Sequence, residues 1–196
     1  VSDASAPLIA DLVRDAAARL SAAGIGDAQV DAELLAAHAW DSSRGAVQAA
    51  AIRGDRAPDA DAAARFSDLV ARRADRVPLQ HLTGRAPFRH VELEVGPGVF
   101  VPRPETEGVA QLAIDALRAV ASQSPIAVDL GTGSGAIALA MATEVPHARV
   151  FAAENSVDAF IWTKLNHSRV GADNLTLAFA DLAVAFEGEV VGDRKS

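Results

Sequence analysis

The chain has 196 residues and is 50% apolar, enough to pack one ordinary domain and a small second one. Its formal net charge of −8, divided as 12 acidic and 9 basic residues through Val77 and 14 and 9 beyond, argues against broad electrostatic capture of nucleic acid. With no cysteine, disulfides, thiolate nucleophiles and Cys-based zinc sites are excluded; with no basic leader and no run near the ~18 apolar residues of a membrane span, a soluble cytoplasmic protein without membrane contact is the default expectation.

Residues 1–77 predict a small helical bundle. Leu8, Leu12, Val13, Ala16 and Leu20 recur at helical spacing, Gly24-Ile-Gly26 breaks the run, and Asp27 is placed to cap a second helix through Leu34, Leu35 and Trp40. Ser42 or Ser43 can start a short third helix, and 59–73 carries another with Phe66, Leu69 and Val70 on its apolar face. Mutual packing explains these stripes.

Beyond Pro78 the pattern changes, and 78–103 reads as a linker with a β-hairpin. The segment 87–95 alternates apolar and polar residues, as a half-buried strand or hairpin arm does; Gly96-Pro-Gly98 turns the chain and 99–101 begins another extended piece. Pro104 suits the first position of a helix running through Val109, Leu112, Ile114 and Leu117. From residue 126 strands and helices alternate, at 126–130, 136–143, 149–153, 157–170 and 175–179, which predicts an α/β unit with a parallel, doubly wound sheet.

The most informative stretch is Asp129-Leu-Gly-Thr-Gly-Ser-Gly135, a glycine-rich turn between a strand and a helix. Such a turn offers backbone N–H groups and the positive end of a helix dipole to a small anionic or polar ligand. In a parallel sheet the ligand lies beyond the carboxyl ends of the strands, where Asp129, Glu154 and Asp181 fall in turn. Glu154 can accept from both ribose hydroxyls through its two oxygens, and Asp181 either accepts from an adenine amino group or caps a following turn. The segment Gly131–Ala136 also satisfies G-x-G-x-x-[GA], so a nicotinamide cofactor competes at this point. Asp129 separates the two, being awkward beside a pyrophosphate and well suited to the ammonium group of S-adenosylmethionine.

Pro78-Leu-Gln-His-Leu-Thr-Gly84, Phe88, Phe100-Val-Pro-Arg-Pro-Glu-Thr-Glu107 and Asp129-Leu-Gly-Thr-Gly-Ser-Gly-Ala-Ile-Ala-Leu139 together resemble the HemK/PrmC family of protein-(glutamine-N5) methyltransferases. The resemblance covers nearly the whole chain. It implies an amino-terminal helical domain that docks the substrate, followed at 104–196 by part of a Rossmann-like S-adenosylmethionine-dependent methyltransferase domain. The substrate implied is the glutamine of the Gly-Gly-Gln motif of peptide-chain release factors, with no direct nucleic-acid contact. Gly131, Thr132, Gly133, Ser134 and Gly135 would hold the methionine end of the cofactor, Glu154 the ribose, and Asp181 with Leu182 the adenine. Arg103, Pro104 and Thr106 would cap the pocket, although a structural salt bridge explains Arg103 equally well.

The family's Asn-Pro-Pro-Tyr motif, which grips the substrate amide, does not occur in this sequence, so no catalytic residue is assigned. The expectation is an enzyme cut short, with an incomplete sheet whose first strand lacks a neighbour. A noncatalytic fragment that binds a release factor is a further reading. His38, His81, His90, His147 and His167 show no ligand spacing, so no metal site is expected, and Ser134 lacks the frame of a nucleophile elbow. Glu105 and Glu107 can form a carboxylate pair or simply favour a helix start. Trp40 and Trp162 sit on helical patterns that favour packing over ligand stacking.

Overall fold

The computed structural model describes residues 6–183 and 185 and divides into two compact units, Val1–Thr83 and Gly84–Ser196. The division falls inside the stretch 78–103, because a short helix closes the first unit and a hairpin opens the second. The stretch 190–196, where a fourth strand would be expected to begin, lies outside the described residues.

The first unit holds α1 (Ile9–Ala22), α2 (Ala28–Ala39), α3 (Arg44–Arg53), α4 (Ala60–Ala74) and α5 (Leu79–Thr83). Ile9, Val13, Ala16 and Leu20 form one buried face of α1, and Leu35, Phe66 and Val70 meet it in the core. Ser43 accepts from the Ala46 N–H at 3.2 Å and Asp59 from the Ala62 N–H at 2.6 Å, so two helix starts are capped as the sequence suggests. Asp27 differs: it occupies the N-cap position of α2, but its side chain makes no cap hydrogen bond. Trp40 packs as expected, its ring 5.5 Å from that of Phe66 and its indole N–H donating to the Ala62 carbonyl at 3.2 Å.

Because α2 is buried on most of its surface, it also carries two buried carboxylates that hydrophobic periodicity does not announce. Arg73 reaches Asp31 at 2.7 Å, while Glu33 receives Arg44 at 2.7 Å and Gln29 and Gln48 at 2.8 Å each. Burial alone would raise the Glu33 carboxyl, but these donors outweigh it and hold it below the usual range.

The second unit begins with an antiparallel hairpin, β1 (Arg85–Phe88) and β2 (Val91–Glu94), closed by the two residues Arg89 and His90. The alternating run 87–95 is therefore two strands around a tight turn. Its first turn residue, Arg89, has φ +51°, a left-handed conformation taken here without glycine. No strand forms at 99–101, and α6 (Thr106–Ala119) starts two residues after Pro104, which lies in the preceding turn. That helix buries Ala110, Ile114 and Leu117, whereas Val109 is 57% and Leu112 73% exposed, so not every apolar position of its pattern faces the core.

The remainder alternates as expected: β3 (Ile126–Leu130), α7 (Ala136–Glu144), β4 (Arg149–Glu154), α8 (Val157–Val170) and β5 (Leu175–Phe179). The strands are parallel, in the order β3-β4-β5, with Leu130 opposite Ala153 and Glu154 opposite Phe179. Among the described residues β3 is an edge, and Ile126, Val128 and Leu130 are 39%, 41% and 53% exposed, as an apolar first strand without a neighbour should be. Leu93, Val95, Ile114, Leu139 and Val150 form the main core of the unit. Gly96 is required for close approach, since a Cβ there would lie 2.5 Å from the Trp162 ring, whose N–H donates to the Pro97 carbonyl at 3.1 Å.

Arg89 ties the hairpin tip to two helices. Its guanidinium spans both oxygens of Glu144 at 2.5 and 2.8 Å and reaches Gln111 at 2.8 Å, while its own N–H donates to Glu107 at 3.0 Å. Both side chains of the Arg89–Glu144 pair are nearly buried, at 12% and 11% exposure. The hydrogen bonds from Arg89, opposed by burial, hold the Glu144 carboxyl below its usual range. A lowered folded-state value means that the stabilisation is complete above the unfolded value and is lost as the pH falls through the folded one. Glu144→Gln is expected to cost about 2 kcal/mol at neutral pH, and the cost should shrink in acid; urea unfolding at both pH values measures it, and equal losses would refute the charge-dependent account.

Candidate functional site

The glycine turn is positioned by the strand beside it. As the chain leaves β3, the N–H groups of Gly131 and Thr132 both donate to the Ala153 carbonyl, at 2.9 and 3.1 Å. Gly131, Gly133 and Gly135 have φ of +74°, +60° and +84°, so every second residue sits where a side chain is strained. The Gly135 N–H donates to the Thr132 carbonyl at 2.9 Å, and Leu139 N–H to the Gly135 carbonyl at 2.8 Å begins α7. A Cβ on Gly135 would also stand 3.3 Å from Leu139.

Two carboxylates flank this turn. Asp129 accepts from the Thr132 hydroxyl at 2.7 Å. Burial raises its carboxyl above the usual range; Thr132 and the Ala138 N–H lower it in part, and the negative charge of Glu154 adds to the rise. Glu154 is 7% exposed and is held by three backbone donors, Gly133 on Oε2 and Asn155 and Ser156 on Oε1, each at 2.9 Å. A carboxylate has about four acceptor sites, so one remains on Oε2. Among the described residues neither carboxylate has a cationic partner.

The exit of β5 approaches the same place. The Ala180 N–H donates to the Glu154 carbonyl at 3.2 Å, and Leu182 lies 3.8 Å from where a Cβ on Gly131 would be. Asp181 is exposed and accepts from the Ala183 N–H at 2.9 Å, so its visible engagement is with a local turn. The structure thus brings together Asp129, the loop 131–135, Glu154 and Leu182, with Asp181 adjacent. Arg103 and Thr106 are joined to each other, Thr106 N–H to the Arg103 carbonyl at 2.9 Å, and among the described residues neither is hydrogen-bonded to the loop.

Two residues of α8 complete the loop's support and were not singled out from the sequence. Thr163 and Asn166 are both 0% exposed. The Thr163 hydroxyl donates to the Gly133 carbonyl at 2.6 Å, and the Asn166 amide donates to the carbonyls of Ser134 and Glu94 at 2.9 Å each. Asn166 Oδ1 also accepts from the Glu94 N–H at 2.6 Å. The available signal was two polar residues one turn apart in a helix otherwise read for its apolar face.

Residues 11–84 match the PrmC N-terminal domain. The release factor glutamine methyltransferase of Streptomyces coelicolor is 54% identical over 175 residues, covering 87% of this chain and 59% of that protein. That of Bifidobacterium longum is 42% identical over 180 residues, covering 89% of this chain and 61% of that protein. The chain therefore spans about three fifths of the length of these curated relatives. Among solved structures, precorrin-6y C5,15-methyltransferase from Geobacter metallireducens is similar over 45% of this chain, with 21% identity and a TM-score of 0.36. With its helical unit matched to the PrmC N-terminal domain and identities of 54% and 42% extending through both units, this chain belongs to the HemK/PrmC family.

Proposed function

We propose that the chain is part of a cytoplasmic enzyme that transfers a methyl group from S-adenosylmethionine to the side-chain amide of the glutamine in the Gly-Gly-Gln motif of peptide-chain release factors. The observation that carries this reading is Asp129, a carboxylate raised by burial at the end of β3 with no cation among the described residues. A diphosphate at that position would add like charge to a costly anion, whereas an ammonium group would stabilise it. Like charge counts against the nicotinamide reading, and the Streptomyces coelicolor and Bifidobacterium longum relatives are both named release factor glutamine methyltransferase.

The remaining residues fit the same cofactor. The loop 131–135 leaves the Ser134 N–H for a carboxylate, its other N–H groups being engaged within the protein, and Leu182 supplies an apolar edge for a base. Glu154 has one acceptor site left, so it takes one ribose hydroxyl while it keeps all three backbone donors. Asp181 is proposed to face the adenine amino group, and Arg103 and Thr106 to cover the methionine end. When bound, the cofactor supplies a methyl group already activated by its sulfonium, so the chain's own residues serve chiefly to orient it and exclude water. The helical unit is proposed to dock the release factor.

Calorimetric titration is expected to show binding of S-adenosylmethionine and not of NAD; the reverse result overturns the cofactor assignment. A release-factor fragment containing Gly-Gly-Gln, incubated with chain and cofactor and examined by mass spectrometry, then tests transfer. A methyl gain on glutamine supports an active chain. Cofactor binding without that gain supports the noncatalytic, release-factor-binding reading.

Asp129→Asn should weaken S-adenosylmethionine binding about tenfold or more, the loss of one charge-assisted hydrogen bond. Because the carboxyl is raised in the free protein, protons compete with the ligand's ammonium, and wild-type affinity should fall as the pH drops through that raised value. The variant should lose this dependence. A raised folded-state value also makes ionised Asp129 a cost to folding above that value, so the variant should melt higher at neutral pH. Weaker binding together with a lower melting temperature would instead mark Asp129 as structural.

A further inference from the structure

The donors of the glycine loop are not equivalent. Gly131 and Thr132 N–H go to the Ala153 carbonyl, Gly133 N–H goes to Glu154, and Gly135 N–H goes to the Thr132 carbonyl. For the Ser134 N–H the described residues offer no acceptor, although Ser134 is only 4% exposed. A backbone donor without a protein acceptor is uncommon in a residue this little exposed. Its direction is set by the peptide plane it shares with the Gly133 carbonyl, since in a trans peptide the N–H points opposite to the preceding C=O.

That carbonyl is tied to α8 by Thr163. The Thr163 hydroxyl has one proton and two acceptors in reach, the Gly133 carbonyl at 2.6 Å and the Ala159 carbonyl at 3.1 Å. The shorter bond takes it, and Ala159 is four residues back, where the helix ladder already supplies the Thr163 N–H. One turn on, Asn166 anchors the Ser134 carbonyl in the same way, at 2.9 Å. The tether matters because the 133–134 peptide turns about ψ of Gly133, a residue at φ +60° with no Cβ to restrain it.

We propose that Thr163 is a positioning residue that, by holding the Gly133 carbonyl against α8 with Asn166 securing the next peptide, aims the Ser134 N–H at the carboxylate of the bound ligand. The inference rests on the S-adenosylmethionine reading of the loop. It assigns the carboxylate contact to one donor out of the five residues of the turn, and its orientation to a side chain that does not itself touch the ligand.

Thr163→Val keeps the branched shape and removes the hydroxyl, and Thr163→Ser keeps the hydroxyl. S-adenosylhomocysteine, which carries the same amino-acid group, is the probe for calorimetry, with the Ser134 backbone amide followed by nuclear magnetic resonance. Thr163→Val should bind about tenfold more weakly, Thr163→Ser should bind like wild type, and the ligand-induced shift of the Ser134 amide should be lost only in the valine variant. A valine variant that melts lower yet binds like wild type overturns the positioning role, because a merely structural hydroxyl would act on stability alone. A wild-type chain that fails to bind the probe overturns the cofactor reading and this inference with it. Wild-type binding with no difference between the two variants overturns the inference alone.

Discussion

Asn166 fixes three parts of the α/β unit at one buried point. Its amide makes three hydrogen bonds, two with the backbone of Glu94 and one with the carbonyl of Ser134, and so joins β2, α8 and the glycine loop. No other side chain among the described residues bonds to both the hairpin and that loop. A hydrophobic contact brings these elements together without direction, since it scales with the apolar area removed from water. Paired hydrogen bonds to one residue add direction and fix the register more sharply. The loop is therefore held by directional bonds from β4 on one side and α8 on the other, while the apolar core beneath supplies most of the cohesion.

Charge does similar work at the far end of the unit. The left-handed Arg89 places a guanidinium between α6 and α7, where the side chains of Glu144 and Gln111 and the carbonyl of Glu107 receive it. A non-glycine residue in that conformation costs about 1–2 kcal/mol, an amount the buried bidentate pair can offset. Arg118 adds a bond to the Glu144 carbonyl at 3.2 Å, so the end of α7 is held at both its side chain and its backbone. In the helical unit Asp31 and Glu33 are satisfied in the same manner, each buried carboxylate facing an arginine. The ion pairs specify which helix faces meet.

Much of this was legible in the sequence where local chemistry decides. The bounds expected for β3, α8 and β5 coincide with the structure, because glycine, serine and asparagine or aspartate punctuate them. The turn at Arg89 carried no such mark, so two strands read as one run. Val109 and Leu112 belong to the same apolar pattern as Ile114 and Leu117 yet stay exposed, because spacing cannot say which of two apolar stripes a helix will bury. Thr163 and Asn166 illustrate a different limit. Their partners, Gly133, Ser134 and Glu94, lie 30 to 72 residues away in the chain, and nothing local in a helix reveals that its polar residues will be needed by a distant carbonyl.

The same distinction separates support from function within the loop. A protein that satisfied every polar group here would be more stable, and most groups are satisfied: three donors on Glu154, two on the Ala153 carbonyl, and the carbonyls of Gly133 and Ser134 on α8. Two are left open among the described residues: the charge of Asp129, which has hydrogen-bond donors but no cation, and the N–H of Ser134, which has no acceptor. One seeks a cation and the other an acceptor. An α-amino acid group carries both, an ammonium and a carboxylate on adjacent carbons, so a single ligand end can complete the pair. Uncompensated groups of opposite kind in one turn are what a site for such an end requires, and the bonds around them keep the fold from satisfying them by itself.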